Sequence, residues 1–157
     1  FLQKEIKKQT KNMRLSLQNN YSKKFDPENI KYGRGGFQEL ELLVQMGMLL
    51  MNIGYRKNNQ SPKKLISCLY KVGFFDKEEY KNITEIYELF FYYQQVSCIM
   101  FFETDQKKIL SSHGVGYLIK NLSKSVNYNK EMDLNDLNLL LKQKSQYIGK
   151  LFDRKLK

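Results

Sequence analysis

The chain contains no alanine and no tryptophan, and its 157 residues include only two prolines, two cysteines and one histidine. Each shortage closes off a class of explanation. Cys68 and Cys98 lie far apart, with no C-x-x-C and no histidine pattern nearby. That is no disulfide scaffold and no zinc ribbon, and two buried, reduced cysteines in a cytoplasmic protein is the expectation. His113 sits beside glycines, with no second histidine, cysteine or carboxylate spaced to complete a metal site. A surface or capping role is expected there, and no metal ligand is assigned. Cysteine nucleophile chemistry needs a base held beside the thiol, and the sequence places none. No apolar run reaches the ~18–20 residues of a membrane span. Phe1-Leu2-Gln3-Lys4-Glu5 lacks the apolar core of a signal peptide, and a first residue other than methionine suggests a piece of a longer protein.

What is present points to a folded globular chain. Hydrophobic residues make up 41% and aromatics 13%, too much apolar material for a disordered segment. The length suits one domain over 1–157, able to bury about two-thirds of its unfolded surface. The net charge of +11 raises the question of nucleic acid. Yet missing alanine beside abundant Lys, Asn, Ile, Tyr and Phe is how an AT-biased coding sequence reads, and lysine then fills surface sites by default. The lysines are also scattered rather than gathered into one block. A solvated surface is the favoured reading, and an acidic or phosphate-bearing partner is the alternative.

The periodicity is helical throughout. Leu2, Ile6, Met13 and Leu17 mark a first helix, and a second runs from Phe37 to about Ile53, with Gly54 as its C-cap. Ser61-Pro62 opens a third, ended by Gly73, with Leu65, Ile66, Leu69, Tyr70 and Val72 as its apolar residues. Asp76 with Glu79 forms a capping box for a long helix to about Glu103, whose middle, Leu89–Met100, is apolar nearly all round. Its Phe90-Phe91-Tyr92-Tyr93 run reads as core packing rather than a base-stacking platform. A short helix follows the His113–Gly116 turn. Asp133 or Asn135 caps a last helix with its stripe at Leu137, Leu140, Leu141, Tyr147, Ile148, Leu151 and Phe152. The fold class is therefore all-α, a bundle of about five to seven helices.

One stretch stands apart, Asn29–Ile53. Gly33, Gly35 and Gly36 lead into the cleanest amphipathic helix of the chain, with Phe37, Leu40, Leu43, Val44, Gly47, Met48 and Met51 on its apolar face. Glycines at a helix N-terminus, flanked by Lys31 and Arg34, can cradle an anion. The spacing matches neither the P-loop nor the dinucleotide fingerprint, and a tight structural turn fits the same residues better. Glu39 and Glu41 point about 200° apart, so they are no acid–base pair, while Glu41 and Gln45 share one face.

The stretch N-I-K-Y-G-R-G-G-F-Q-E-L-E-L-L-V-Q resembles a motif of the glutamine synthetase adenylyltransferases and, more loosely, of the PII uridylyltransferases. Ile30, Lys31, Gly33, Gly35, Gly36, Glu39, Glu41 and Gln45 are the matching residues. Lys4–Leu17, Ile83–Gln95 and Lys150–Arg154 resemble flanking family helices less sharply. The resemblance implies a helical domain that follows a nucleotidyltransferase core and helps close its ATP site, in an enzyme moving AMP to or from glutamine synthetase. The core's G-S-…-D-x-D signature, whose carboxylates hold Mg²⁺, does not occur in this sequence. It follows that no residue here is assigned as catalytic, that the fragment alone is expected to be inactive, and that ATP and Mg²⁺ belong to the full-length enzyme. The expected partners are the chain's own nucleotidyltransferase domain, glutamine synthetase and the PII protein. Lys31, Gly33, Arg34, Gly35, Gly36, Glu39, Glu41 and Gln45 are the residues expected to face the nucleotide or the core. Where the family has Arg and Glu on the long helix, this chain has Phe91, Tyr92 and Gln94. The alternative function is a basic helical module binding nucleic acid or another acidic partner.

Overall fold

The computed structural model describes residues 1–21, 23–24, 30–54, 61–101 and 133–157, apart from the side chains of 96–101 and 134. Among them are five helices and no strand: α1 (Leu2–Asn20), α2 (Phe37–Leu50), α3 (Pro62–Lys71), α4 (Lys77–Phe101) and α5 (Leu134–Leu156). The expected all-α bundle is what the chain forms. The turn at His113, the short helix after it and the Cys98 side chain lie outside the described residues.

α2 is the hub, packing against each of the other four helices. Leu40, Leu42, Leu43, Val44, Met46 and Met48 are buried along it, so little of its circumference reaches solvent. Each such side chain removed from water contributes roughly 1.5–3 kcal/mol. Gly47 is part of the same packing. A methyl group there would lie 2.6 Å from the Phe74 ring, so only glycine lets α2 approach the segment after α3 this closely.

The helix ends follow local chemistry. α2 stops at Leu50, earlier than Ile53, because Asn52 rather than Gly54 takes the left-handed position, at φ 51°. Asn52 N–H donates to Leu49 O at 3.2 Å and Ile53 N–H to Met48 O at 2.9 Å, closing a Schellman turn. Asparagine tolerates this conformation better than most residues. α3 closes the same way at Gly73, with φ 80°. The α4 capping box is present, with Glu79 N–H donating to Asp76 at 2.8 Å and Asp76 N–H to Glu79 at 3.0 Å. Asp133 rather than Asn135 caps α5, reciprocally with Asp136.

Several expectations need correction. Met51, expected on the apolar face of α2, is 37% exposed because the helix has already ended at Leu50. In α1, Leu2 and Met13 are exposed, and the inward line is Ile6, half-buried, followed by buried Thr10 and Arg14 and half-buried Leu17. A charged residue lies on the core side because its partners lie there too, as described below. In α4, Ile83, Ile86, Leu89, Phe90 and Tyr93 are buried, but Phe91 is 45% exposed, so the described part of the helix is not covered on all sides. Cys68 is a free thiol, half-buried rather than buried. Among the described residues no helix is long and apolar enough to cross a membrane.

Candidate functional site: the glycine loop and the two faces of α2

The loop from Ile30 to Gly36 is folded back on itself and onto α5. Phe37 N–H donates to Ile30 O at 2.9 Å, Gln38 N–H to Lys31 O at 3.0 Å and Gly36 N–H to Gly33 O at 2.8 Å. Gly35 N–H donates to Glu39 Oε2 at 3.0 Å. These donors at the α2 N-terminus are therefore engaged by the chain itself, and they do not form an open phosphate cradle. The glycines serve close approach instead. Gly35, at φ +70°, has the Ser145 carbonyl oxygen 2.0 Å from the position its Cβ would occupy. A Cβ on Gly36 would meet Ile30 O at 2.4 Å. The Ser145 hydroxyl donates to Arg34 O at 2.6 Å, which fixes the loop's backbone on α5.

Beneath this contact lies a buried ion network joining three helices. Glu39, only 2% exposed, accepts from Gln18 of α1 at 2.7 Å and pairs with Arg14 at 3.1 Å. Arg14, 5% exposed, also pairs with Asp153 of α5, donates to Gly149 O at 3.3 Å, and lies 4.4 Å over the Phe152 ring. Burial alone would lower the guanidinium pKa, but hydrogen bonds and charge from Glu39 and Asp153 outweigh it, leaving the pKa above its ordinary value. Arg34 reaches the same Asp153 at 3.1 Å from the solvent side. From the same C-terminal turns of α5, Arg154 and Lys155 reach buried Glu79 of α4 at 3.0 Å and 2.8 Å. α5 thus ties α1, the glycine loop and α4 together.

The roughly 200° between Glu39 and Glu41 divides α2 into two faces. Glu39 is spent inside the domain. Gln38, Glu41, Gln45 and Leu49 form an outward line, with Leu49 62% exposed. Lys31 adjoins this line, its ammonium 5.0 Å over the Tyr32 ring, and Tyr32 stacks on Tyr21 at 4.2 Å. Partial desolvation raises the Glu41 carboxyl pKa, and the Lys31 charge pulls it back. Desolvation and then Glu41 raise the Tyr87 phenol in turn, which puts Tyr87 within electrical reach of the same patch. Its ring lies against Phe37 at 5.5 Å and Phe91 at 5.9 Å. The structure therefore brings Lys31, Glu41 and Gln45 to one surface, directs Arg34 and Gly35 toward α5, and turns Glu39 inward to Arg14 and Gln18 of α1. Removing the cation by Lys31→Ala should raise the Glu41 pKa further, since only desolvation then acts on it. A carboxyl titration followed by NMR would show this, and an unmoved Glu41 pKa would mean the two groups do not sense each other.

A scan against family models settles the lineage, matching residues 1–153 to the GlnD PII-uridylyltransferase family. The chain belongs to the GlnD PII-uridylyltransferase family. The match covers nearly the whole chain, so the lineage rests on far more than the glycine stretch. The family matched is the looser of the two resemblances, the PII uridylyltransferases, and not the glutamine synthetase adenylyltransferases. Neither curated proteins nor solved structures yield a match. Among the described residues no cluster of three His, Cys, Asp or Glu side chains suits a metal ion.

Sequence reasoning missed Arg14, Asp153 and Ser145 as the residues that hold the loop. Arg14 gave a faint signal, since it continues the Ile6–Thr10 line at helical spacing. Asp153 and Ser145 gave none, because they act across more than 100 residues of chain.

Proposed function

We propose that this chain is the helical domain that follows a nucleotidyltransferase core and packs on it, helping to close the nucleotide site during transfer to a protein acceptor. The observation that carries the reading is the division of α2. Inside the domain, Arg14, Glu39, Ser145 and Asp153 hold the glycine loop and leave Lys31, Glu41 and Gln45 on the outward side. A cation, a carboxylate with a raised pKa and a carboxamide on one patch offer hydrogen bonds to an opposing polar surface. Lys31 meets nucleotide phosphate or a core carboxylate, and Glu41 and Gln45 hold α2 against the core. Gly33, Gly35 and Gly36 shape the loop that carries Lys31, and Arg34 braces it through Asp153.

The family's name supports a PII protein as acceptor, with a uridylyl group transferred, and the motif resemblance supports the parallel transfer of AMP from ATP to glutamine synthetase. In either case the Mg²⁺-binding carboxylates belong to the core's G-S-…-D-x-D, and nitrogen regulation in the cytoplasm is the setting. Supplied with Mg-UTP or Mg-ATP and either acceptor, the isolated 157 residues should transfer no nucleotide, and the same residues joined to a nucleotidyltransferase core should restore transfer. Labelling of acceptor by the isolated chain would overturn the assignment.

A further inference from the structure

A groove of about 530 Å³ lies between the glycine loop, the start of the connection after α1 and α5, and neither Lys31 nor Glu41 is among its lining residues. Its described lining is Lys23, Lys24, Arg34, Lys142, Ser145, Gln146, Gly149 and Lys150. Five of these are cations and none is a carboxylate or an aromatic. Asp153 reaches this wall through Arg34 at 3.1 Å. Among the described residues Lys23, Lys142 and Lys150 meet no carboxylate, so three of its cations stand without a described counter-charge. Lys142, Gln146 and Lys150 follow at four-residue spacing on one line of α5, with the two lysines about 12 Å apart along its axis.

Holding like charges around one concavity is unfavourable unless an anion enters, and such a cleft focuses its field on that anion. The volume lies within the range of small-ligand pockets, about 300–1,000 Å³. Among the described lining residues there is no aromatic to stack a base, so their recognition falls on charge. From these features we infer that the groove binds a compact oligophosphate anion, whether a free polyphosphate or the phosphate tail of a nucleotide, without reading the base. This site is separate from the core-facing patch and does not rest on the function proposed for it.

Isothermal titration of the chain with inorganic tripolyphosphate tests the inference. Tripolyphosphate should bind about tenfold or more tighter than orthophosphate, the worth of one further charge-assisted contact. ATP and UTP should bind alike, and all affinities should weaken with added salt. The double variant Lys142→Gln/Lys150→Gln changes two exposed positions, so its fold can be verified by circular dichroism, and it should lose about tenfold or more in affinity. Lys71→Gln/Lys81→Gln removes the same charge from α3 and α4 and should leave affinity unchanged. Absence of tripolyphosphate binding, equal losses in the two double variants, or a marked preference for one base would each overturn the proposal. So would a single-stranded oligonucleotide binding far more tightly than tripolyphosphate, since that identifies an extended backbone as the ligand.

Discussion

Gly35→Ala should be among the most damaging single substitutions in the chain, costing about 2–5 kcal/mol. Two effects combine. At φ +70° an alanine pays roughly 1–2 kcal/mol for the left-handed conformation. Its methyl group would also lie 2.0 Å from the Ser145 carbonyl oxygen, which is backbone and cannot rotate away. Either the loop or α5 must move, and overpacking of this kind typically costs about 1–3 kcal/mol. Movement of the loop would also break the 2.6 Å bond from the Ser145 hydroxyl to Arg34 O. Gly73→Ala supplies the control. Its φ of +80° is similar, but nothing lies within 4 Å of the added methyl, so it should cost only the conformational part. Chemical denaturation of the two variants measures the difference directly. Equal losses would show that the close approach of loop to helix contributes nothing.

Arg14→Met should destabilise the chain by about 3 kcal/mol, lowering the melting temperature by roughly 6–12 °C. Methionine keeps much of the apolar contact with Phe152 but removes the cation from a site where Glu39 is 2% exposed. Unpairing a buried charge costs about 3–5 kcal/mol, and the lower end applies because Glu39 keeps Gln18 and the Gly35 N–H as donors. Arg34→Met touches the other side of Asp153, where both partners are nearly half exposed, so it should cost less than about 1 kcal/mol. The contrast decides whether the network acts through its buried member. Thermal melts in which both variants lose the same small amount would show that it does not.

The physical reasons for these effects also mark how far the sequence can be read. Features with a local cause were legible: the Asp76–Glu79 and Asp133 caps, the Gly73 turn, the α5 stripe and the α2 core face as far as Met48 each follow from residues within a turn or two of one another. The end of α2 was placed late because two residues compete for the left-handed position and Asn52 comes first. The inward polar line of α1 was misjudged because Arg14 is stabilised inside by Glu39 and Asp153, which lie 25 and 139 residues away. The glycine loop was legible as unusual, yet its purpose was not, since Ser145 and Gly149 arrive from the opposite end of the chain. Scattered lysines gave the same difficulty. Lys23 and Lys24 meet Lys142 and Lys150 only once α5 packs beside the loop, so a charge reading taken along the sequence sees no cluster.

The central proposal is that α2 and the loop before it hold Glu39 inside while presenting Lys31, Glu41 and Gln45 to a nucleotidyltransferase core. Nucleotide transfer by the core-linked protein carrying Lys31→Ala, Glu41→Ala and Gln45→Ala measures it. These side chains lie at the outward surface, so the melting temperature should stay within about 2 °C. The transfer rate should fall by about tenfold or more, the equivalent of roughly 1.4 kcal/mol of lost contact. A folded triple variant transferring at the unaltered rate would contradict the account.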